Sequence, residues 1–225
     1  MASSDAAPGP DALRPLVTTE QLDAAARFAG DIWLPDHPYF DAAEPAIESL
    51  WRDAILPFLA GADFSCVLDL ATGRGRNARM LLPLSKRLTL VDIRPENIAF
   101  CRARFGDDPR ITYIANNGYD LRDVPDGSVT LFYSFDAMVH FDSDVVRAYL
   151  AEARRVLAPG GRAFLHHSNY TGGHDWRVAP HCRAFMSKDM FRHYALKEGL
   201  EVLRQQVFDW GGETELDGFT LLRKA

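Results

Sequence analysis

Cysteine is scarce in this chain: Cys66, Cys101 and Cys182 are the only three in 225 residues. Their odd number and the lack of any CxxC spacing exclude a disulfide framework and a cysteine zinc site, and point to a reducing compartment. Long apolar runs are missing too. None approaches the roughly 20 residues that a membrane-spanning helix needs, and the opening stretch has no basic residue before Arg14 and no apolar core of the kind a secretory leader carries. A cytoplasmic protein with no membrane partner is expected. Basic charge is in deficit, with 25 Lys and Arg against 31 Asp and Glu and a formal charge of −6. That balance weighs against nucleic acid and anionic membranes and favours a small molecule. Tight metal-ligand spacing is also absent: Asp136, His140, His174, Asp175 and His181 offer oxygen and nitrogen donors with no closely spaced ligand set, and no metal is expected.

What the chain has is apolar material, 47% of its residues, enough for one substantial core. Residues 1–15, rich in Pro, Ala and Ser, read as a disordered tail. Residues 16–62 read as a helical cap. A capped helix is expected over 18–28, ending at Gly30. The stretch from Trp33 to Phe40 holds two prolines and is expected to be irregular. A helix from Asp41 to Leu59 would place Ile47, Leu50, Trp51, Ile55 and Phe58 on one face. Residues 63–225 read as the main domain, where strand patterns near 65–70, 87–92, 110–115, 129–135 and 161–168 alternate with helix patterns near 76–84, 95–105 and 142–157. Turn signals fall between them at Pro125-Asp-Gly127 and Pro159-Gly-Gly161. A helix opened by Ser187 and two late strands, 200–208 and 218–222, close the chain. The fold expected is α/β: a doubly wound, Rossmann-like, seven-stranded sheet, mostly parallel, with an antiparallel C-terminal hairpin. Basic residues concentrate over 74–110, and these read mainly as solvated helix faces.

The segment Val67-Leu-Asp-Leu-Ala-Thr-Gly-Arg-Gly-Arg-Asn77 joins an apolar strand to a glycine turn and a helix. Gly73 and Gly75 let bare backbone approach a ligand, and Asp69 sits where it attracts a cationic group. A second strand ends at Asp92, 19 residues after Gly73, where a carboxylate takes both ribose hydroxyls of an adenosine. Gly73-x-Gly75-x-x-Ala78 also satisfies the dinucleotide fingerprint, which keeps an NAD-dependent oxidoreductase as an alternative. Asp69 argues against it, because a carboxylate gains nothing beside a pyrophosphate but suits an ammonium or sulfonium.

These segments resemble the class I S-adenosylmethionine-dependent methyltransferases over about residues 63–224. The resemblance implies S-adenosylmethionine as cofactor. It places Asp69, Thr72, Gly73 and Gly75, with Asn77, around the methionine moiety, Asp92 on the ribose and Ile93 against adenine. Ile111-Thr-Tyr-Ile-Ala-Asn-Asn117-Gly118 ends the third strand with Asn117, where the family has an Asp on the adenine amine, and brings Gly118 beside it. Tyr133-Ser-Phe-Asp136-Ala-Met-Val-His140 matches the fourth-strand motif beside the methyl, so Ser134, Phe135 and Asp136 are expected on the cofactor. Arg155-Val-Leu-Ala-Pro-Gly-Gly161 is similar to the family's turn into the fifth strand.

A hydroxyl acceptor must lose its proton as it is methylated, which makes histidine a suitable base. His140 is the first candidate and His167 the second. Of His166 and His167, which end the fifth strand, alternation lets one face the site; His166 is expected on substrate. Trp33, Tyr39, Tyr170, His174 and Trp176 are expected to line the acceptor site. The activity expected is methyl transfer to a small molecule, at oxygen rather than nitrogen, on a sugar or specialised metabolite. Nitrogen or protein methylation and a non-catalytic cofactor-binding module are the alternatives, and a homodimer is left open.

Overall fold

The computed structural model describes residues 17–172 and 182–225. Helix α1, Thr19–Gly30, starts as the sequence predicts: Thr18 Oγ1 accepts the Gln21 N–H while Gln21 returns a bond to the Thr18 N–H, the reciprocal arrangement of a capping box. The second helix begins earlier than expected. In α2, Pro38–Ala43, the proline holds the first helical position and His37 Nδ1 caps the Tyr39 N–H, because a missing N–H costs nothing in the first turn. The single helix expected from Asp41 to Leu59 is one helical path with changing winding. A 3-10 turn at Glu44–Ala46 leads to α3, Ile47–Leu50, then a π turn at Trp51–Ile55 and α4, Leu56–Phe58. Pro45 and Pro57 interrupt the regular ladder, and the Leu56 N–H reaches back to the Trp51 carbonyl, a five-residue step.

Seven strands form one sheet: β1 (Cys66–Leu70), β2 (Arg87–Asp92), β3 (Ile111–Ala115), β4 (Val129–Ser134), β5 (Leu157–Ser168), β6 (Leu200–Trp210) and β7 (Glu213–Lys224). Their order is β3-β2-β1-β4-β5-β7-β6. The pairs from β3 through β5 are parallel, and β7 runs antiparallel to both neighbours. β7 is buried along most of its length and takes the inner place, while β6 carries more exposed residues and forms the edge. β5 starts at Leu157, earlier than expected, because a register shift between Val129 and Leu131 absorbs the Pro159-Gly-Gly161 turn into the strand.

Helices α5 (Ala78–Leu81), α6 (Pro95–Phe105), α7 (Ser143–Val156) and α8 (Lys188–Lys197) complete the fold. Alternation divides the core. Leu68, Leu70 and Phe132 point toward α7 and α8 and pack with Val145, Leu150 and Phe191. Val67, Leu131 and Tyr133 point the other way, against Ile47, Trp51, Ile55 and Phe58. The chain leaves β1 toward β2 but returns to pair β4 on β1's other edge, so a crevice opens at the ends of β1 and β4, where open α/β sheets place ligands. No helix among the described residues is long and apolar enough to cross a membrane. The stretch 1–15, expected to be a disordered tail, lies outside the described residues.

Candidate active site

A cavity of about 690 Å³, counting its open mouth, sits in that crevice, within the usual size for a small-molecule site. One end is floored by Gly73, Asp92, Ile93, Asn97, Asn116 and Gly118, with Ala26, Ala29 and Gly30 of α1 above. Gly73 has φ +53, and a Cβ there would lie 2.6 Å from the Phe40 ring, so bare backbone is required. Asp92 Oδ2 accepts the Gly73 N–H at 2.8 Å, and Oδ1 accepts the Arg94 N–H at 2.8 Å and Asn97 Nδ2 at 3.2 Å. Two turns are thereby fixed on one carboxylate.

Behind Gly73 lies Asp69, fully buried, with Oδ2 accepting the Thr72 hydroxyl at 2.8 Å. Its Oδ1 has no hydrogen-bond partner among the described residues. Burial pushes the carboxyl up to about 7, and the Thr72 hydroxyl draws it back in part. An orphaned buried carboxylate oxygen next to a glycine cradle fits a ligand that brings positive charge. Asp92, backbone-braced and open to the cavity, fits a ligand with vicinal hydroxyls.

Several residues expected on the cofactor stand elsewhere. Asn117 does not face the cavity: its Oδ1 accepts the Tyr119 and Asp120 N–H groups at 3.1 and 3.0 Å, and Asn116, one position earlier, lines the pocket. The adjacent pair Asn116-Asn117 offered no local signal to choose between them. Gly75 packs away from the pocket, where a Cβ would lie 2.5 Å from Phe105. Asn77 and Ser134 are also buried behind the lining; Asn77 Oδ1 accepts the Tyr133 hydroxyl and the Ser134 hydroxyl donates to the Leu70 carbonyl. Phe135 stacks on His166 rather than facing the cavity.

The other end of the cavity is formed by Trp33, Tyr39, Phe40, Asp136, His140 and Phe141. Trp33 and His140 lie with ring centroids 5.0 Å apart. His140 Nδ1 is 3.1 Å from the Cys182 carbonyl; a carbonyl only accepts, so Nδ1 carries the proton and Nε2 is left as an acceptor. Burial, aided by the positive charge of Arg183, holds the imidazole down to about 4. Asp136 has φ +61. Its Oδ2 accepts from the Tyr39 hydroxyl and from Arg76 Nη2, the latter at 2.8 Å.

The two strand histidines do not reach the cavity. His166 is wholly buried, with Nδ1 accepting the Asp136 N–H at 3.1 Å and Nε2 facing Asp217 Oδ2 at 3.1 Å. Asp217 in turn takes Arg183 Nε and Nη2 at 2.8 and 2.7 Å. His167 points to the opposite face, stacked on Phe191 at 3.9 Å, with Nδ1 donating to the Ser168 carbonyl and Nε2 accepting from the Thr220 hydroxyl. The expectation that His167 is catalytic is corrected: both its nitrogens are engaged and it is not among the residues that line the pocket. His166 is likewise corrected from a substrate contact to a buried support of Asp136. Tyr170 bridges to Phe185 and is not part of the lining. His174 and Trp176 lie outside the described residues.

Arg76, Arg183 and Asp217 were not singled out from the sequence as site residues, and nothing local marks them. The basic cluster has a specific use. Arg74 pairs with Asp41 at 2.7 Å, Arg76 with the Ala43 carbonyl at 3.1 Å, Arg79 with Glu48 at 2.9 Å and Arg104 with Glu44 at 2.5 Å. These arginines hold the α2 segment over the glycine turn.

Comparison with known proteins agrees with this architecture. A family profile described as "Methyltransferase domain" matches residues 67–161. Demethylmenaquinone methyltransferase of Tropheryma whipplei (strain Twist) is 30% identical over 178 residues, covering 74% of this chain and 68% of that protein. The chain belongs to the class I S-adenosylmethionine-dependent methyltransferases. A "Methyltransferase" of Claviceps purpurea (strain 20.1) is 32% identical over 98 residues, spanning 44% of this chain but 30% of its own length. Among solved structures, the geranyl diphosphate C-methyltransferase of Streptomyces coelicolor A3(2), bound to S-adenosyl-L-homocysteine, superposes with a TM-score of 0.66 at 15% identity over 85% of this chain and 82% of that one. At that identity the likeness speaks for the fold. The methyltransferase therefore uses S-adenosylmethionine, and the orphaned Asp69 oxygen and glycine cradle are consistent with that cationic ligand.

Proposed function

We propose that this methyltransferase acts on a small acceptor with an apolar or aromatic body, and that the nucleophile is a hydroxyl. The observation that carries this reading is the acceptor end of the cavity, where Trp33, Tyr39, Phe40 and Phe141 surround two hydrogen-bond acceptors, His140 Nε2 and the Asp136 carboxylate. Acceptors of this kind select a substrate that donates. The aromatic walls suit a planar ring better than a sugar, which narrows the earlier expectation.

S-Adenosylmethionine supplies an electrophilic methyl group whose sulfur–carbon bond breaks with its electron pair kept by sulfur. The chain's own residues supply placement. Asp92 would take the ribose hydroxyls, Ile93 and Gly118 would flank the adenine, and Asp69 with the Gly73 turn would receive the methionine end. The cap excludes water: Phe40 covers Gly73, and Trp33 packs on His140. The acceptor hydroxyl has one proton to donate, to the Asp136 carboxylate or to His140, which is neutral above about pH 4. Holding nucleophile and methyl in line is the main contribution asked of such an enzyme.

A second reading is methylation at a ring carbon beside a hydroxyl. The names of relatives favour it: one is a "Demethylmenaquinone methyltransferase", and another is a "Ubiquinone/menaquinone biosynthesis C-methyltransferase" of Methylobacterium nodulans, 29% identical over 176 residues. Both readings need a hydroxylated ring in the same place. The test is release of S-adenosylhomocysteine with phenols, naphthohydroquinones, simple sugars and primary amines, followed by carbon NMR of a labelled methyl group in the product. Turnover of phenols or hydroquinones is expected, with the methyl shift separating oxygen from carbon. Turnover of sugars or amines alone would overturn the reading.

A further inference from the structure

We propose that Asp136, rather than any histidine, is the catalytic base: its Oδ1 faces the acceptor and takes the hydroxyl proton. This rests on the hydroxyl-acceptor reading above and goes beyond it by naming the atom that receives the proton. The O–H bond breaks with its electron pair left on the acceptor oxygen, the proton goes to Asp136 Oδ1, and that pair forms the bond to the methyl carbon.

The geometry points to Asp136 in four ways. It lines the same cavity as Gly73 and Asp92. It adopts φ +61 without being glycine, and such positions cluster where a side chain must be aimed. Its two carboxylate oxygens are unequal. Oδ2 is fixed by the Tyr39 hydroxyl and Arg76, while Oδ1 has no hydrogen-bond partner among the described residues, and it is not sealed from the cavity. Finally, its backbone is anchored. Because Nδ1 of His166 accepts the Asp136 N–H, the His166 proton must sit on Nε2, where it is donated to Asp217, and Arg183 holds Asp217 from the far side.

That arrangement also removes the histidines as rivals. His166 and His167 have both nitrogens committed, and His140 is held down to about 4, which leaves it a weak base at neutral pH. Burial pushes the Asp136 carboxyl up to about 7, with Arg183 drawing it down and Asp217 pushing it up. A proton acceptor poised near the working pH is the more effective one. The charged and titratable groups facing Asp136 are Tyr39 from the cap, Arg76 from the glycine turn, His166 from β5, Arg183 from the segment before α8 and Asp217 from β7.

The test uses Asp136→Asn and Tyr39→Phe in the full chain. Asparagine tolerates a positive φ, so Asp136→Asn keeps the turn. Wild-type kcat on a hydroxyl acceptor is expected to fall below about pH 7 as Asp136 becomes protonated. In Asp136→Asn, kcat is expected to drop by about 100-fold or more and to lose that acid limb, with S-adenosylhomocysteine affinity by calorimetry unchanged. Tyr39→Phe removes a donor to the carboxylate, so its acid limb moves to higher pH. A readout independent of turnover is infrared titration of the cofactor-free protein: Asp69 and Asp136 both supply protonated-carboxyl absorbance that disappears near pH 7, and Asp136→Asn removes one share of it. The proposal is overturned if Asp136→Asn retains kcat within about threefold, far short of a general-base effect, or keeps the acid limb; the hydroxyl-acceptor reading survives that outcome. A wild type that methylates amines alone sinks the reading and the proposal together.

Discussion

At the nucleotide end of the pocket, Gly73 follows β1, Asp92 ends β2 with Ile93 after it, Asn97 lies in the first turn of α6 and Asn116 follows β3, and Asp92 is braced by the backbone N–H groups of Arg94, two residues ahead, and Gly73, 19 residues back. At the acceptor end the partners come from far apart: Tyr39 and Asp136 are 97 positions apart, Arg76 and Asp136 are 60 apart, and His166 and Asp217 are 51 apart. The first end uses short loops and neutral donors; the second uses buried charge. The difference teaches where each is vulnerable. Loop geometry fails by steric intrusion, whereas a buried ionic network fails when one partner is removed or titrated.

The largest effect is expected from Asp217→Ala. It takes the carboxylate away from the buried Arg183 guanidinium and from the Nε2–H of His166, and breaking a buried pair from one side costs about 3–5 kcal/mol. Urea unfolding checks this. A loss under about 1 kcal/mol, the scale of an exposed pair, would break the contrast between the two ends.

A smaller effect is expected from pH, and its sign differs between groups. His167 is held down to about 4, so its contribution is complete above the unfolded value near 6.5 and is lost as pH falls toward 4, about 2 kcal/mol of it between pH 7 and 5. Asp69 is pushed up to about 7; its folded form binds the proton more tightly, so stability rises as pH falls from 7 toward 4 by a similar amount. Hence His167→Gln is expected to gain stability on acidification relative to the wild type, and Asp69→Asn to lose it, in unfolding curves at pH 7 and 5. Parallel curves for all three proteins would contradict the burial argument.

Gly73→Ala sharpens the comparison at the nucleotide end. The new Cβ at φ +53 lies 2.6 Å from Phe40, so cofactor affinity is expected to weaken by about tenfold, or ~1–2 kcal/mol, as read by calorimetric titration of S-adenosylhomocysteine. The smallest effect is expected for Glu44→Gln, which loosens Arg104 from the cap. Both side chains are partly exposed, so the cost is about 1 kcal/mol or less and shrinks with added salt.

Legibility followed the same division. The glycine turn, Asp92 and the strand-helix alternation could be read because the residues that cooperate there are near neighbours in sequence. Asn116 was missed in favour of Asn117 because a one-residue choice at a strand end is made by turn hydrogen bonds, here the Tyr119 and Asp120 N–H groups on Asn117. His167 was misread because alternation puts the pair on opposite faces but does not say which neighbours fill each face; here Phe191 and Thr220 take up His167. Arg74, Arg79 and Arg104 looked like solvent-facing charge until the cap acids Asp41, Glu48 and Glu44 came against them.

By itself the sequence determined the parallel α/β sheet, the glycine cradle and its two acidic strand ends, since apolar periodicity and glycine backbone freedom act over a few residues. Only the tertiary structure decided that Tyr39, Arg76, Asp136, His166, Arg183 and Asp217 form one network, and that His140 keeps Nε2 free. Such contacts are set by the order in which strands pair and by how the cap docks, and buried charges declare their partners only when water has been removed from around them.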